Sequence, residues 1–190
     1  MKNFRERAAK KLLELRRDWN EEFNDCIKDL ASHPVVLRMK LYPHHGKTNC
    51  YQHCMHVAYY NYQWCRFLKL DARSAARGGM LHDLFLYDWH THAKKTGDRF
   101  HGMTHPKEAL KNAEKFFELN KTEKDIIRSH MWPVTLFTLP HTKEGWITTI
   151  TDKYCGSCET SRRENVDTTR IRRDLSRVVE RFSYLADIKR

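Results

Sequence analysis

Glycine and proline are scarce in this chain, at 7 and 5 of 190 residues. That scarcity excludes collagen-like and low-complexity architectures. Disorder is excluded as well, because 12% of the residues are aromatic and 40% are hydrophobic, enough to build a core. No apolar run approaches the roughly 18–20 residues of a membrane span, so no membrane association is expected. The opening MKNFRERAAKK lacks the apolar stretch of a secretory signal. No polar–apolar alternation is long enough to build a sheet, and there is no internal repeat. The six cysteines do not read as a disulfide framework in a chain of this size without a signal. A reducing cytoplasm is the expected location. Cys155-Gly-Ser-Cys158 is a lone CxxC pair, whereas a structural zinc site wants four ligands.

What is present is helical pattern. Phe4, Ala8, Leu12, Leu15 and Trp19 fall on one face of an amphipathic helix. After turn-rich stretches at 32–34 and 42–46, a helix is expected from Thr48 or Asn49 to about Lys69. Asp71 can cap the next, which carries Ala72, Ala75, Ala76, Met80 and Leu81 and is expected to end near Tyr87. Residues 88–104 read as an irregular loop. Pro106 suits the first turn of a helix that buries Ala109, Leu110, Ala113, Phe116 and Phe117. Thr122 to Asp125 resembles a capping box ahead of Ile126, Ile127 and His130. A helix over about Lys143–Ser157 and a C-terminal one marked by Leu175, Val178, Val179, Phe182 and Leu185 complete the pattern. The fold class is all-α, and residues 1–190 are expected to form one domain.

The formal charge of +11 sits mostly at the ends: residues 1–18 and 161–190 each carry +4. Attraction of an anionic substrate is one reading of this excess. Basic and acidic residues are interleaved in both segments, however, as on solvated helix faces. Nucleic acid is therefore not an expected partner. Whether the terminal helices pair two copies into a homodimer stays open.

Twelve histidines in 190 residues exceed what a core needs. The sharpest element is His82-Asp83, adjacent at the end of a small-residue helix. His53 lies 29 residues earlier, His105 lies 22 after Asp83, His130 lies 25 further on, and Asp152 another 22. Each falls on or beside a separate helical segment. Helical bundles build metal sites in this way, from side chains that converge from facing helices. Imidazole and carboxylate donors suit Fe, Mn, Co, Ni or Zn.

The series His53, His82-Asp83 and Asp152 resembles the HD-domain superfamily of metal-dependent hydrolases. Val57-Ala58 after the first histidine and Leu81 before the His-Asp pair fit the same pattern over roughly residues 45–160. The resemblance implies an HD-type helical bundle, with 1–44 and 161–190 as helical extensions. It implies one metal on His53, His82, Asp83 and Asp152, and a second on His105 and His130, with Asp83 bridging. The implied reaction is hydrolysis of a nucleotide or other small anionic phosphate ester by metal-activated water. The same ligand set also serves di-iron oxygenases within the superfamily, and a non-catalytic binding domain is a third reading.

One departure stands out. Many members read His-Asp-Ile-Gly-Lys, where this chain has His82-Asp83-Leu84-Phe85-Leu86. The lysine that would meet phosphate is missing, and Arg99, Lys94, Lys95 and Lys153 are the candidates to replace it. Arg99 can fork two hydrogen bonds to a phosphate. Asp88 is a candidate general acid or water-orienting group, although it can equally cap a helix. His56, His101 and His141 are secondary candidates around the site. His33, His44 and His45 read as ordinary loop histidines.

Overall fold

The computed structural model describes residues 18–97 and 101–161; for 93–96 and 101 it describes the backbone alone. Among the described residues the chain is helical throughout. The elements are α1 (18–31), α2 (Pro34–Leu37), a 3-10 turn (Arg38–Leu41), α3 (Cys50–Phe67), α4 (Ala72–Leu81), α5 (Trp89–Thr96), α6 (His101–Phe116), α7 (Lys121–Ser129) and α8 (Lys143–Thr160). The one β-type pairing among them is an isolated bridge between Pro43 and Asn49. No helix among the described residues is long and apolar enough to cross a membrane. The amphipathic segments expected at 1–17 and 162–190 lie outside the described residues.

Capping residues set where these helices start. Asn49 accepts from the Gln52 N–H at 2.9 Å, and Gln52 accepts from the Asn49 N–H at 3.0 Å. This reciprocal pair starts α3 one residue after Asn49. Asp71 does the same for α4 through the Ser74 N–H. The box ahead of α7 is Asn120 with Glu123, not Thr122 with Asp125. Asp125 instead accepts from the backbone and hydroxyl of Thr142 at 2.8 and 2.7 Å, which fixes the start of α8.

Three other expectations change. Helix α4 stops at Leu81 rather than near Tyr87. The chain turns there, and Leu86 takes a left-handed φ of 60° that no helix accommodates. The described residues of 88–104 are largely helical rather than an irregular loop: Asp88 accepts from the His90 N–H and starts α5, and α6 begins at His101. Pro106 thus lies inside α6 and forgoes only the bond to the Gly102 carbonyl. Helix α8 runs to Thr160 with its β-branched threonines inside it. Thr148 donates to the Glu144 carbonyl at 2.9 Å, and Thr151 donates to Asn61 Oδ1.

Helix α4 is the central post, packed between α3 and α7. Its two glycines make both contacts close. A Cβ on Gly79 would stand 3.0 Å from Ala58 Cα in the α3 backbone and 2.7 Å from Asn61 Nδ2, and one on Gly78 would meet Ile126 at 2.8 Å. Leu30, Val36, Met39, Met80, Leu81, Leu84 and Ile127 fill the core below. Buried Arg77 ties three elements together, donating to Glu123 on α7 at 2.9 Å and to Asp29 and the Cys26 carbonyl on α1.

The α3–α4 contact sets the distance between His53 and His82. Gly79→Val forces those backbones apart and is expected to lower stability by about 2–3 kcal/mol, read by chemical denaturation. A change within experimental error would show that the close approach is not required.

Candidate metal centre

Five elements deliver six side chains to one place. His53 comes from the first turn of α3, and His82 and Asp83 from the end of α4. His105 comes from α6, His130 from the end of α7 and Asp152 from the middle of α8. All six are buried, with His53 and His82 wholly so. Asp83 stands in the middle. Its Oδ2 lies 3.3 Å from His82 Nε2 and 3.9 Å from His53 Nε2. Its Oδ1 lies 3.2 Å from His105 Nε2 and 3.4 Å from His130 Nε2. Asp152 Oδ1 closes the first side, 3.0 Å from His53 Nε2 and 3.5 Å from His82 Nε2.

Helix ends orient these rings. The last carbonyls of a helix have no intrahelical partner. His82, just past α4, donates from Nδ1 to the Gly79 carbonyl at 2.7 Å. His130, just past α7, donates to the Ile127 carbonyl at 2.9 Å. His53 sits at a helix start, where no such carbonyl is free, and Glu159 Oε2 takes its Nδ1 at 2.8 Å instead. With a proton held on Nδ1, each Nε2 faces inward, the orientation a metal ligand needs once that nitrogen is free of its own proton.

The electrostatics agree with a cation site. Burial alone would raise the Asp83 carboxyl, yet the charge on His82 and the imidazoles of His105, His130 and His44 hold it well below the carboxylate range. Asp152 is held down in the same way by His53 and His82. Against the effect of burial, Asp152 and Glu159 lift His53 to about 10, and His82 is also raised, chiefly by Asp83. Burial drives His130 the other way, to about 4. His105 Nε2 and His130 Nε2 face each other at only 2.9 Å. His82 Nε2 and Asp83 Oδ1 are buried without any hydrogen bond. The donor atoms of His53, His82 and Asp83 lie within 4.8 Å of one another, as do those of Asp83, His105 and His130. These convergent donors, two of their atoms without a hydrogen bond, fit divalent ions. Cys50 and Cys54 are nearby, but burial pushes both thiols up, so they stay protonated.

Asp83, His105, His130 and Asp152 of the cluster form the floor of a pocket of about 1000 Å³. Its walls include His45, Trp89, Met131, Val134 and Lys153. Lys153 donates from Nζ to the His130 carbonyl at 3.0 Å. Asp88 does not line this pocket; its carboxylate is used on His90 and Thr91 at the start of α5. The physical reading of Asp88 is therefore a helix cap. Arg99 lies outside the described residues, as do the side chains of Lys94, Lys95 and His101. His141 is exposed, and His56 is held by Glu159 Oε1 at 2.8 Å. Cys155 is buried and Cys158 partly so, both as free thiols.

Two assignments made from sequence are corrected. His44 and His45 are not ordinary loop histidines: His44 is buried with Nε2 3.1 Å from Asp83 Oδ2, and His45 lines the pocket. Glu159 was missed altogether. Its spacing of seven from Asp152 puts both on one face of α8, a signal legible in the sequence. Nothing comparable flags His44, since only the folded turn carries it to Asp83.

Residues 50–156, more than half of the chain, match the family model described as HD domain. All six converging residues lie within that match; His44, His45 and Glu159 lie outside it. No curated protein and no solved structure matches the chain.

Because the neighbouring carboxylates raise the proton affinity of His53 and His82 in the metal-free protein, an ion competes with protons there. Binding of Mn²⁺ or Co²⁺ at pH 7 is expected to release roughly one or two protons, and affinity rises with pH. Calorimetry in buffers of different ionisation enthalpy measures this. Binding without proton release would mean that these two imidazoles are not displaced by the ion.

Proposed function

The chain belongs to the HD-domain family, and on that premise we propose that it is a metal-dependent phosphohydrolase acting on a small, nucleotide-like phosphate ester. The family is mostly one of metal-dependent hydrolases. One observation carries the finer reading: the two oxygens of Asp83 face different imidazole pairs, His53 with His82 and His105 with His130. A carboxylate so placed suits two ions, the first also on Asp152. Divalent ions held there would polarise a phosphoryl oxygen and acidify a water molecule.

The remaining residues bind, orient and exclude water. Two divalent ions against the charges of Asp83 and Asp152 leave the floor positive, which draws a phosphate. Glu159 does not cancel that charge locally, being paired with His53 and His56. The rings of Trp89 and His45, 6.5 Å apart between centroids, line the pocket together with Met131 and Val134, a lining that suits a flat, partly apolar group such as a nucleobase. Lys153 is a cation already at the pocket wall. Arg99 remains our sequence-based choice for the second contact to phosphate.

The test begins with the full chain purified without oxygen or chelator. Metal content near two equivalents of Fe, Mn, Co or Ni is expected, with hydrolysis of some members of a panel of phosphomonoesters, phosphodiesters and dinucleoside polyphosphates. Asp83→Ala is expected to lose metal and activity together, and His130→Ala to lose one ion of the two. Consumption of O₂ by an iron-loaded protein inert toward the whole panel would overturn the hydrolase reading. Arg99→Ala is expected to raise KM about tenfold at unchanged metal content; an unchanged KM would return Arg99 to the surface.

A further inference from the structure

The turn before α3 is built as tightly as the site it abuts. Pro43 and Asn49 are bridged, the His44 N–H donates to the Thr48 carbonyl at 3.0 Å, and the Thr48 N–H returns to the His45 carbonyl at 2.9 Å. Gly46 takes a φ of 57°, and a Cβ there would stand 2.3 Å from the Glu159 carbonyl, so the backbones of the turn and α8 touch. The Thr48 hydroxyl lies 3.2 Å from Glu159 Oε2, the same oxygen that holds His53. One carboxylate thus fixes both His53 and the turn that carries His44.

That turn delivers the His44 ring against His53, 4.4 Å between centroids, with Nε2 3.1 Å from Asp83 Oδ2. His44 is 8% exposed. It differs from His53, His82 and His130 in one respect: its Nδ1 is buried and has no partner. Ligation through Nε2 would place the proton on Nδ1, a buried donor with no acceptor, at a cost of about 1–3 kcal/mol. Donation from Nε2 leaves only a lone pair there. A carboxylate oxygen accepts along two lone-pair directions, so Asp83 Oδ2 can meet an ion on one and an N–H on the other.

We propose that His44 is a seventh residue of the metal centre, a positioning residue whose Nε2–H holds Asp83 Oδ2 so that the carboxylate faces both imidazole pairs. The inference rests on the reading of this cluster as a metal site. It adds a residue outside the matched HD region and makes the 42–49 turn part of the centre.

Co²⁺ is the probe, applied to the full chain and to two variants whose metal-free far-UV spectra match the parent. His44→Ala is expected to weaken Co²⁺ binding about 10–100-fold. His44→Gln, which keeps an N–H donor at the same reach, is expected to recover most of that loss. Its Co²⁺ visible absorption is expected to keep the parent's intensity, because the number of ligands does not change. Unchanged affinity in His44→Ala would overturn the proposal. So would a His44→Gln variant as weak as His44→Ala with an altered Co²⁺ spectrum, which would make the imidazole a ligand. A parent chain that binds no Co²⁺ would instead sink the metal reading itself, a result distinct from either.

Discussion

A carboxylate that is 3% exposed stays charged only if its surroundings replace the water it has lost. Asp83 is that group here, and the fold is arranged to surround it. Five imidazole nitrogens stand within 3.9 Å of its two oxygens. They arrive from the 42–49 turn and the ends or first turns of α3, α4, α6 and α7. Removing any one of these supports leaves a buried charge partly uncompensated, a heavier penalty than the loss of one surface pair.

Helix ends supply the geometry. The carbonyls of Gly79 and Ile127, left free where α4 and α7 stop, fix the rings of His82 and His130. A longer α4 would have consumed the Gly79 carbonyl within the helix and turned His82 along its flank. The left-handed Leu86 and the stop at Leu81 are therefore part of how the site is made. The glycine pair in α4 has the same bearing, since it lets α3 and α7 approach closely enough for His53 and His130 to reach one carboxylate.

Much of this was legible in the sequence. Helical periodicity located α3, α4, α6 and α7, and the order of histidines and acids picked out the six residues that converge. What was not legible depended on competition between local signals. Asn120 and Thr122 both suit a cap, and only the longer Glu123 side chain three residues after Asn120 closes the box. Asp88 could serve a substrate or a helix, and the N–H groups of α5 claimed it. His44 carries no local signature at all. Its place is set by contacts more than a hundred residues away, from the 42–49 turn to Glu159, which periodicity and spacing do not report.

Without ions the cluster works against stability. His105 and His130 point ring nitrogens at each other across 2.9 Å, and His82 Nε2 and Asp83 Oδ1 lack hydrogen bonds. Apolar residues of similar volume would pack more favourably there. The rest of the fold offsets this with the buried Arg77 network and the close α3–α4–α7 contact that Gly78 and Gly79 permit. An ion that binds only the folded chain adds stability in proportion to the logarithm of its concentration over its dissociation constant. The same contacts that would prepare the site for chemistry therefore leave polar atoms uncompensated when it is empty. That places the strongest coupling between ion binding and folding at Asp83, where every element of the site meets.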